Sequence, residues 1–233
     1  STDNNWYNNQ WKNGLAVVRS VNWIWYSRKI SGNTSYQLYF DNMKHNYEKS
    51  PTPYLIRNHV NACDQNGEWA QQNDTLWIYY SGELNSQKVE VPVVDTMIRI
   101  SNSTHIKLDG LSIERSVMFN VHISGSTVDI RNCTISDAGA GLVLSTNYSV
   151  LNAVGNSLKY GRRGGIYLEN SHGLIKNNLF KHFAFEGADN SEKTFGAAVA
   201  NHYCDNLTYV TENVFDSVNI GYHGHWSNAE SFI

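Results

Sequence analysis

The chain has 233 residues, with 18 Lys and Arg against 21 Asp and Glu and a formal net charge of -3. That length holds one large domain or two small ones. No long basic run is present, so nucleic acid is not an expected partner, and no apolar run approaches the ~18 residues of a membrane span.

The chain opens Ser1-Thr2-Asp3, without Met or a signal peptide, as expected of a mature or trimmed product or a fragment. Residues 1–50 are polar and rich in aromatics, among them Trp6, Trp11, Trp23, Trp25 and Tyr26. Alternation predicts strands over Asn22–Ile30 and Tyr36–Phe40. After the break at Ser50-Pro51-Thr52-Pro53, Asn66-Gly67 predicts a tight turn between Ile56–Cys63 and Glu68–Trp69. Thr75–Tyr80 and Val89–Val93 read as two more strands. The expected organisation is a β-rich segment over 1–96, packed on or entering a repeating region over 97–233.

The repeat carries the fold. Leu108, Ile130, Ala153, Ile175 and Val210 form one column, with steps of 22, 23, 22 and 35. Leu111, Cys133, Asn156, Asn178 and Asn213 follow three positions on. Ile113, Ile135, Leu158, Phe180 and Phe215 follow two further. A fixed period of this size means a solenoid, and apolar alternation makes its walls strands. In the second rung, Thr127–Arg131, Thr134–Ser136 and Gly141–Leu144 parse as three strands. Three strands per coil, with the right-handed preference of parallel crossovers, predict an all-β, right-handed parallel β-helix. Asn at the corner after the first strand is read as a structural ladder, because Asn accepts a left-handed backbone and can bond to its neighbours above and below.

Alternation along the third strand sorts the polar residues. The outward column is expected to be His122, Val143, Tyr167, Ala200 and His223, followed by Ser124, Ser145, Glu169, His202 and His225. Glu169, His202, His223 and His225 then share one exposed face, with Tyr167 and Trp226 as aromatic rims. The one long insertion, Phe185–Phe195, would wall it on one side. Arg162 and Arg163 could pair with a uronate carboxylate from the adjoining turns. Such a groove suits a polysaccharide or other glycan. His202, His223 and His225 lack a carboxylate or Cys partner at ligand-like spacing, so neither a metal nor another cofactor is expected.

Cys63, Cys133 and Cys204 allow at most one disulfide within the chain, with Cys63–Cys204 left open and Cys133 read as a small turn residue. Sequons at Asn33, Asn73, Asn102, Asn147 and Asn206 are glycosylation candidates, whereas Asn132 adjoins a turn inside the stack.

Several segments resemble β-helix glycoside hydrolases of the xylosidase, fucosidase and xylanase type, within the pectin-lyase-like superfamily. Arg57–Trp69 (RNHVNACDQNGEW) with Thr75–Tyr80 (TLWIYY) is similar to a segment common there. Val89–Val94 (VEVPVV) and Leu108–Ile113 (LDGLSI) resemble the lead into the first rung and that rung itself. Trp25–Ile30 and Glu192–Phe195 also look similar, and the resemblance covers most of residues 20–228. It implies a secreted protein acting on carbohydrate. If it hydrolyses glycosides, Glu169 with Asp137 or Glu186 would supply the carboxylates. A lyase would use Arg163 or a His as base. The other reading is a non-catalytic structural module of an extracellular assembly. Members of the group continue for several more rungs where this chain stops at Ile233, so further rungs or a neighbouring chain are expected to cover that end.

Overall fold

The computed structural model describes residues 6–21, 24–41, 54–162, 164–183, 197–204, 207–218 and 220–225. The chain divides into two compact units, Ser1–Glu90 and Val91–Ile233. The described residues are strands and turns, apart from two single turns of 3-10 helix at Val60–Ala62 and Leu84–Ser86.

In the first unit β1 (Leu15–Val21), β2 (Ile24–Asn33), β3 (Leu38–Phe40) and β4 (Tyr54–Arg57) form an antiparallel sheet in the order β3-β2-β1-β4. Ala16, Val18 and Ile30 make its small core, against Trp11, Leu38, Phe40 and Ile56. β5 (Trp69–Gln72) and β6 (Thr75–Ile78) form a separate hairpin. Its own turn is at Asn73-Asp74, where Asn73 is left-handed (φ 53°). The expected Asn66-Gly67 turn forms as well: the Glu68 N–H donates to the Gln65 carbonyl at 3.1 Å, Gly67 is left-handed (φ 91°), and its N–H donates to the Tyr79 carbonyl at 2.9 Å. Val89–Val93 forms no strand. β-propensity alone drew that expectation, and no partner strand is there to realise it.

The second unit is a parallel β-helix. Its first coil is β7 (Thr96–Ser101), β8 (Ile106–Asp109) and β9 (Ser112–Ser116). The second is β10 (Phe119–Ser124), β11 (Thr127–Arg131) and β12 (Thr134–Ala138), and the third β13 (Gly141–Thr146), β14 (Val150–Val154) and β15 (Ser157–Gly161). The fourth is β16 (Gly164–Glu169), β17 (His172–Lys176) and β18 (Leu179–Phe183). The fifth is β19 (Ala197–His202), β20 (Thr208–Thr211) and β21 (Val214–Val218), after which β22 (Ile220–His225) opens another. Equivalent strands stack into three parallel sheets. Sheet I runs β7-β10-β13-β16-β19-β22, sheet II β8-β11-β14-β17-β20 and sheet III β9-β12-β15-β18-β21.

The predicted apolar columns line the interior. Ile130, Ala153, Ile175 and Val210 on sheet II and Ile135, Leu158 and Phe180 on sheet III are buried in one continuous core. Phe180 stacks on Phe215 at 5.3 Å between centroids.

The polar ladder does what its spacing predicts. Asn178 Oδ1 accepts from the backbone N–H and the Nδ2 of Asn156, both at 2.9 Å. Its own Nδ2 donates to the Ala153 carbonyl at 2.9 Å and to Asn213 Oδ1 at 3.0 Å. The left-handed residue of that corner is another one. Gly110, Asn132, Gly155, Asn177 and Glu212, each one position before the ladder, have positive φ, while Asn156, Asn178 and Asn213 do not. A second ladder, unforeseen from sequence, braces the corner between sheets I and II. The backbone N–H groups of Ser103 and Ser126 donate to Ser126 Oγ and Ser149 Oγ at 3.0 and 3.1 Å. Ser171 and Cys204 continue that column, their side chains donating to the carbonyls of Glu169 and His202. All three thiols are free.

Two expected outcomes follow from the Asn ladder. Asn178→Ala strips four hydrogen bonds from a buried site and should cost about 3 kcal/mol in urea unfolding. Cys133 occupies the next ladder position, with its thiol only 3.6 Å from the Leu108 carbonyl that an Asn there would bond. Cys133→Asn should therefore extend the ladder by one rung and stabilise the protein by about 1 kcal/mol, read as a higher urea midpoint with unchanged m-value.

Candidate functional site

Strand pairing fixes which residues share the outer face of sheet I. His122, Leu144, Tyr167, Ala200 and His223 are in register across five strands, with Arg99 at the β7 end. Leu144 takes the place expected for Val143, which is buried and pairs with Val121 and Ile166 on the inner face. The slip has a local cause. Leu142 and Val143 both face the core as the chain rounds the corner from sheet III, so strict alternation starts one residue late. Ser145 thereby turns inward, where it is fully buried, and Thr146 takes the outer row with Ser124, Glu169 and His202.

This face is less open than the sequence suggests. Tyr167, Ala200 and His202 are all buried, and Tyr167, Ala197 and Ala200 form an apolar cluster of their own with Leu144 and Ile220 at its edge. Around it lies a chain of rings. The His202 imidazole packs edge-on to Tyr167 at 5.2 Å and stands 5.4 Å from His223 and 6.2 Å from Tyr203. Burial, and then the charge of Glu169, push the Tyr167 phenol above its ordinary range. Its hydroxyl is buried and has no hydrogen-bond partner among the described residues. At the other end of the face, burial and then the Arg99 charge hold the half-buried His122 below the usual imidazole value, which favours the neutral ring. Thr146 Oγ1 lies 3.5 Å from His122 Nε2.

The expected carboxylate pair does not meet. Asp137 is exposed at the corner between sheets III and I, held by a 2.7 Å bond from Ser136 Oγ. Glu169 ends the strand that starts at Gly164, and Gly164 pairs with Gly141 just past that corner. Five residues of strand at ~3.3 Å each put the backbones of the two residues on the order of 16 Å apart. Glycoside hydrolysis needs about 5 to 9.5 Å. Glu186, Arg163 and Trp226 lie outside the described residues, as does the insertion expected to wall the face. His225 pairs with His202 along the strands, but its side chain is outside them too. Among the described residues no three His, Cys, Asp or Glu side chains are grouped to hold a metal ion, and no helix is long and apolar enough to cross a membrane.

Of the sequon residues, Asn73, Asn102 and Asn147 are exposed on left-handed turns. Asn33 is buried, and its Nδ2 donates to the Tyr7 and Thr34 carbonyls at 2.9 and 2.8 Å. That amide is not available to a glycan in the folded protein. Asn206 is outside the described residues.

One column escaped the sequence reading. Arg115, Asp137, Tyr160, His182 and Ser217 occupy one position in successive strands of sheet III, and all five have positive φ. The signal was present, since their spacing repeats the steps of 22, 23, 22 and 35. The column has no common residue type, however, and periodicity searches look for sameness.

No curated protein and no solved structure matches the chain. The family model described as the right handed beta helix region matches residues 74–230. With stacked parallel sheets, a continuous apolar lumen and two polar ladders behind that match, the chain belongs to the right-handed β-helix family.

Proposed function

We propose that this β-helix is an extracellular carbohydrate-recognising module, related to the β-helix glycoside hydrolases, that binds a glycan along the outer face of sheet I. The observation that carries this reading is a pair of neighbouring in-register rows that hold hydrogen-bonding side chains on the outer face of a parallel sheet. His122 on β10 and His223 on β22 stand in one row, Thr146 on β13 and Glu169 on β16 in the next, and all four are half-buried. Adjacent parallel strands are ~4.8 Å apart, a repeat on which an extended chain of sugar rings can be read ring by ring. Half-buried polar groups keep some hydrogen-bonding capacity for a ligand while being held in one rotamer, which lowers the ordering cost of binding. Exposed Asn73, Asn102 and Asn147 suit a secreted glycoprotein.

The reading is one of binding, because the ~16 Å between the Asp137 and Glu169 backbones leaves that pair unable to act on one bond. A second reading, a structural module of an extracellular assembly, is favoured by the burial of Tyr167, Ala200 and His202. Those side chains then serve as a local core on the outside of the sheet.

The two readings diverge on a glycan array and in titration calorimetry of the sugars retained. Glu169→Gln and His223→Ala should each weaken glycan binding at least tenfold with little change in melting temperature. Wild-type protein that retains no glycan, or variants that bind as wild type does, would leave the structural reading.

A further inference from the structure

Each coil turns by means of residues with a left-handed backbone, a conformation that Gly and Asn accept most readily. Two of the three left-handed columns follow this rule. The corner between sheets II and III uses Gly110, Asn132, Gly155 and Asn177 before Glu212. The corner between sheets I and II uses Asn102, Gly125, Asn147 and Asn170 before Tyr203. The third column, near the end of each sheet III strand, contains neither residue type. It reads Arg115, Asp137, Tyr160, His182 and Ser217. Asp and His bear positive φ more easily than Arg or Tyr do, but none of the five is the residue that local conformation would select. Five side chains with hydrogen-bonding or ring-stacking capacity stand where backbone energetics favour Gly or Asn. Strain of this kind, repeated in register, points to a use for the side chains.

Their geometry indicates what that use is. The rings of Tyr160 and His182 lie nearly parallel, 5.2 Å apart with 13° between planes. Each ring covers one face of the other, and Tyr160 remains 51% exposed, so the pair presents the rest of its aromatic surface to solvent. Asp137 below it and Ser217 above it, both exposed, supply hydrogen-bonding groups one rung away on either side. At ~4.8 Å per rung the column spans about 19 Å parallel to the solenoid axis. Charge along it is balanced, since Arg115, Lys159 and Lys181 face Glu114, Asp137 and Asp216, with ion pairs Glu114–Arg115 at 3.7 Å and Lys181–Asp216 at 2.9 Å. An acidic polymer finds no surplus of cations to bind. A neutral pyranose chain, whose ring faces are apolar and whose rims carry hydroxyls, matches ring platform and polar flanks together.

We infer that the left-handed column Arg115–Asp137–Tyr160–His182–Ser217 is a binding ridge for a neutral oligosaccharide, with the Tyr160–His182 pair stacking on a sugar ring. The inference rests on the carbohydrate reading for the class of ligand, but it uses a different surface, at the far end of the strands from Glu169.

The strain itself supplies the test. Tyr160→Asn and His182→Asn restore a residue that the backbone prefers, so the melting temperature should hold or rise. In calorimetry with xylohexaose and cellohexaose, at least one of which the wild type should bind, each variant should lose tenfold or more. Tyr160→Phe, which keeps the ring, should retain binding. A lowered melting temperature in Tyr160→Asn and His182→Asn would mark the rings as structural and overturn the inference. So would wild-type affinity in both variants, or a wild type that binds only hexagalacturonate or no sugar at all. Glu169→Gln and His223→Ala, measured beside them, separate the two surfaces. Loss confined to those variants removes the ridge and keeps the sheet face, whereas loss confined to Tyr160→Asn and His182→Asn keeps the ridge and removes the face.

Discussion

A coil of about 22 residues that closes on itself must turn sharply at fixed places, and among the described residues each coil carries positive-φ residues at or beside its turns. Parallel strands set the rise between coils at ~4.8 Å through their backbone hydrogen bonds. Any coil that turned late would break register with both neighbours, so left-handed residues fall into columns: Gly110 to Glu212, Asn102 to Tyr203 and Arg115 to Ser217. Side-chain ladders secure the first two corners. Where the chain reverses between sheets II and III, Asn156, Asn178 and Asn213 hold backbone N–H and C=O groups that the corner leaves without strand partners. Between sheets I and II, Ser126 and Ser149 accept from the N–H groups one coil back. Backbone groups inside a stack have no water to turn to, and an unbonded one costs as much as a lost core methyl group or more.

The same constraint explains what the sequence revealed. Ile130, Ala153 and Ile175, or Ile135, Leu158 and Phe180, announce themselves because the lumen demands one kind of side chain at one spacing, and the coil count and strand order follow from them. The Asn ladder is legible for the same reason, although its role proved to be bonding through the side chain and the positive φ belongs to the residue before it. Legibility fails where an apolar residue fits two environments. Leu142, Val143 and Leu144 are all apolar, and only pairing to Val121 and Ile166 shows that the strand alternates from Val143 onward. The Ser103–Ser126–Ser149–Ser171 ladder keeps nearly the period of the Asn ladder, yet serine is common enough in loops to pass as background. Before the first coil, short strands with one small core left only β-propensity to read, which placed a strand at Val89–Val93 that does not form.

For the candidate site, sequence gave the membership of the face better than its exposure. Tyr167, Ala200 and His202 share the predicted column or row, but a residue that points away from the lumen need not point into water. Alternation reports the side of the sheet, and burial depends on what else lies on that side. The Tyr167 hydroxyl and the His202 imidazole lie against an apolar patch, and burial, followed by the neighbouring Glu169 charge, keeps the Tyr167 phenol protonated.

The contrast between the left-handed columns bears on how a solenoid acquires a function at all. Its core positions are bound to the lumen and its ladder positions to the backbone, so changes at either are felt first as changes in stability. The outward left-handed positions are tied only to a backbone angle, and Gly or Asn there is the outcome that stability alone would produce. That outcome is seen in eight of the twelve left-handed residues at the two ladder-braced corners, counting Gly110, Asn132, Gly155 and Asn177 with Asn102, Gly125, Asn147 and Asn170 against His105, Tyr148, Tyr203 and Glu212. It is seen in none of the five positions of the third column. Each departure from Gly or Asn costs about 1 kcal/mol. Arg, Asp, Tyr, His and Ser in one register are therefore the outward residues whose identities the backbone angle explains least.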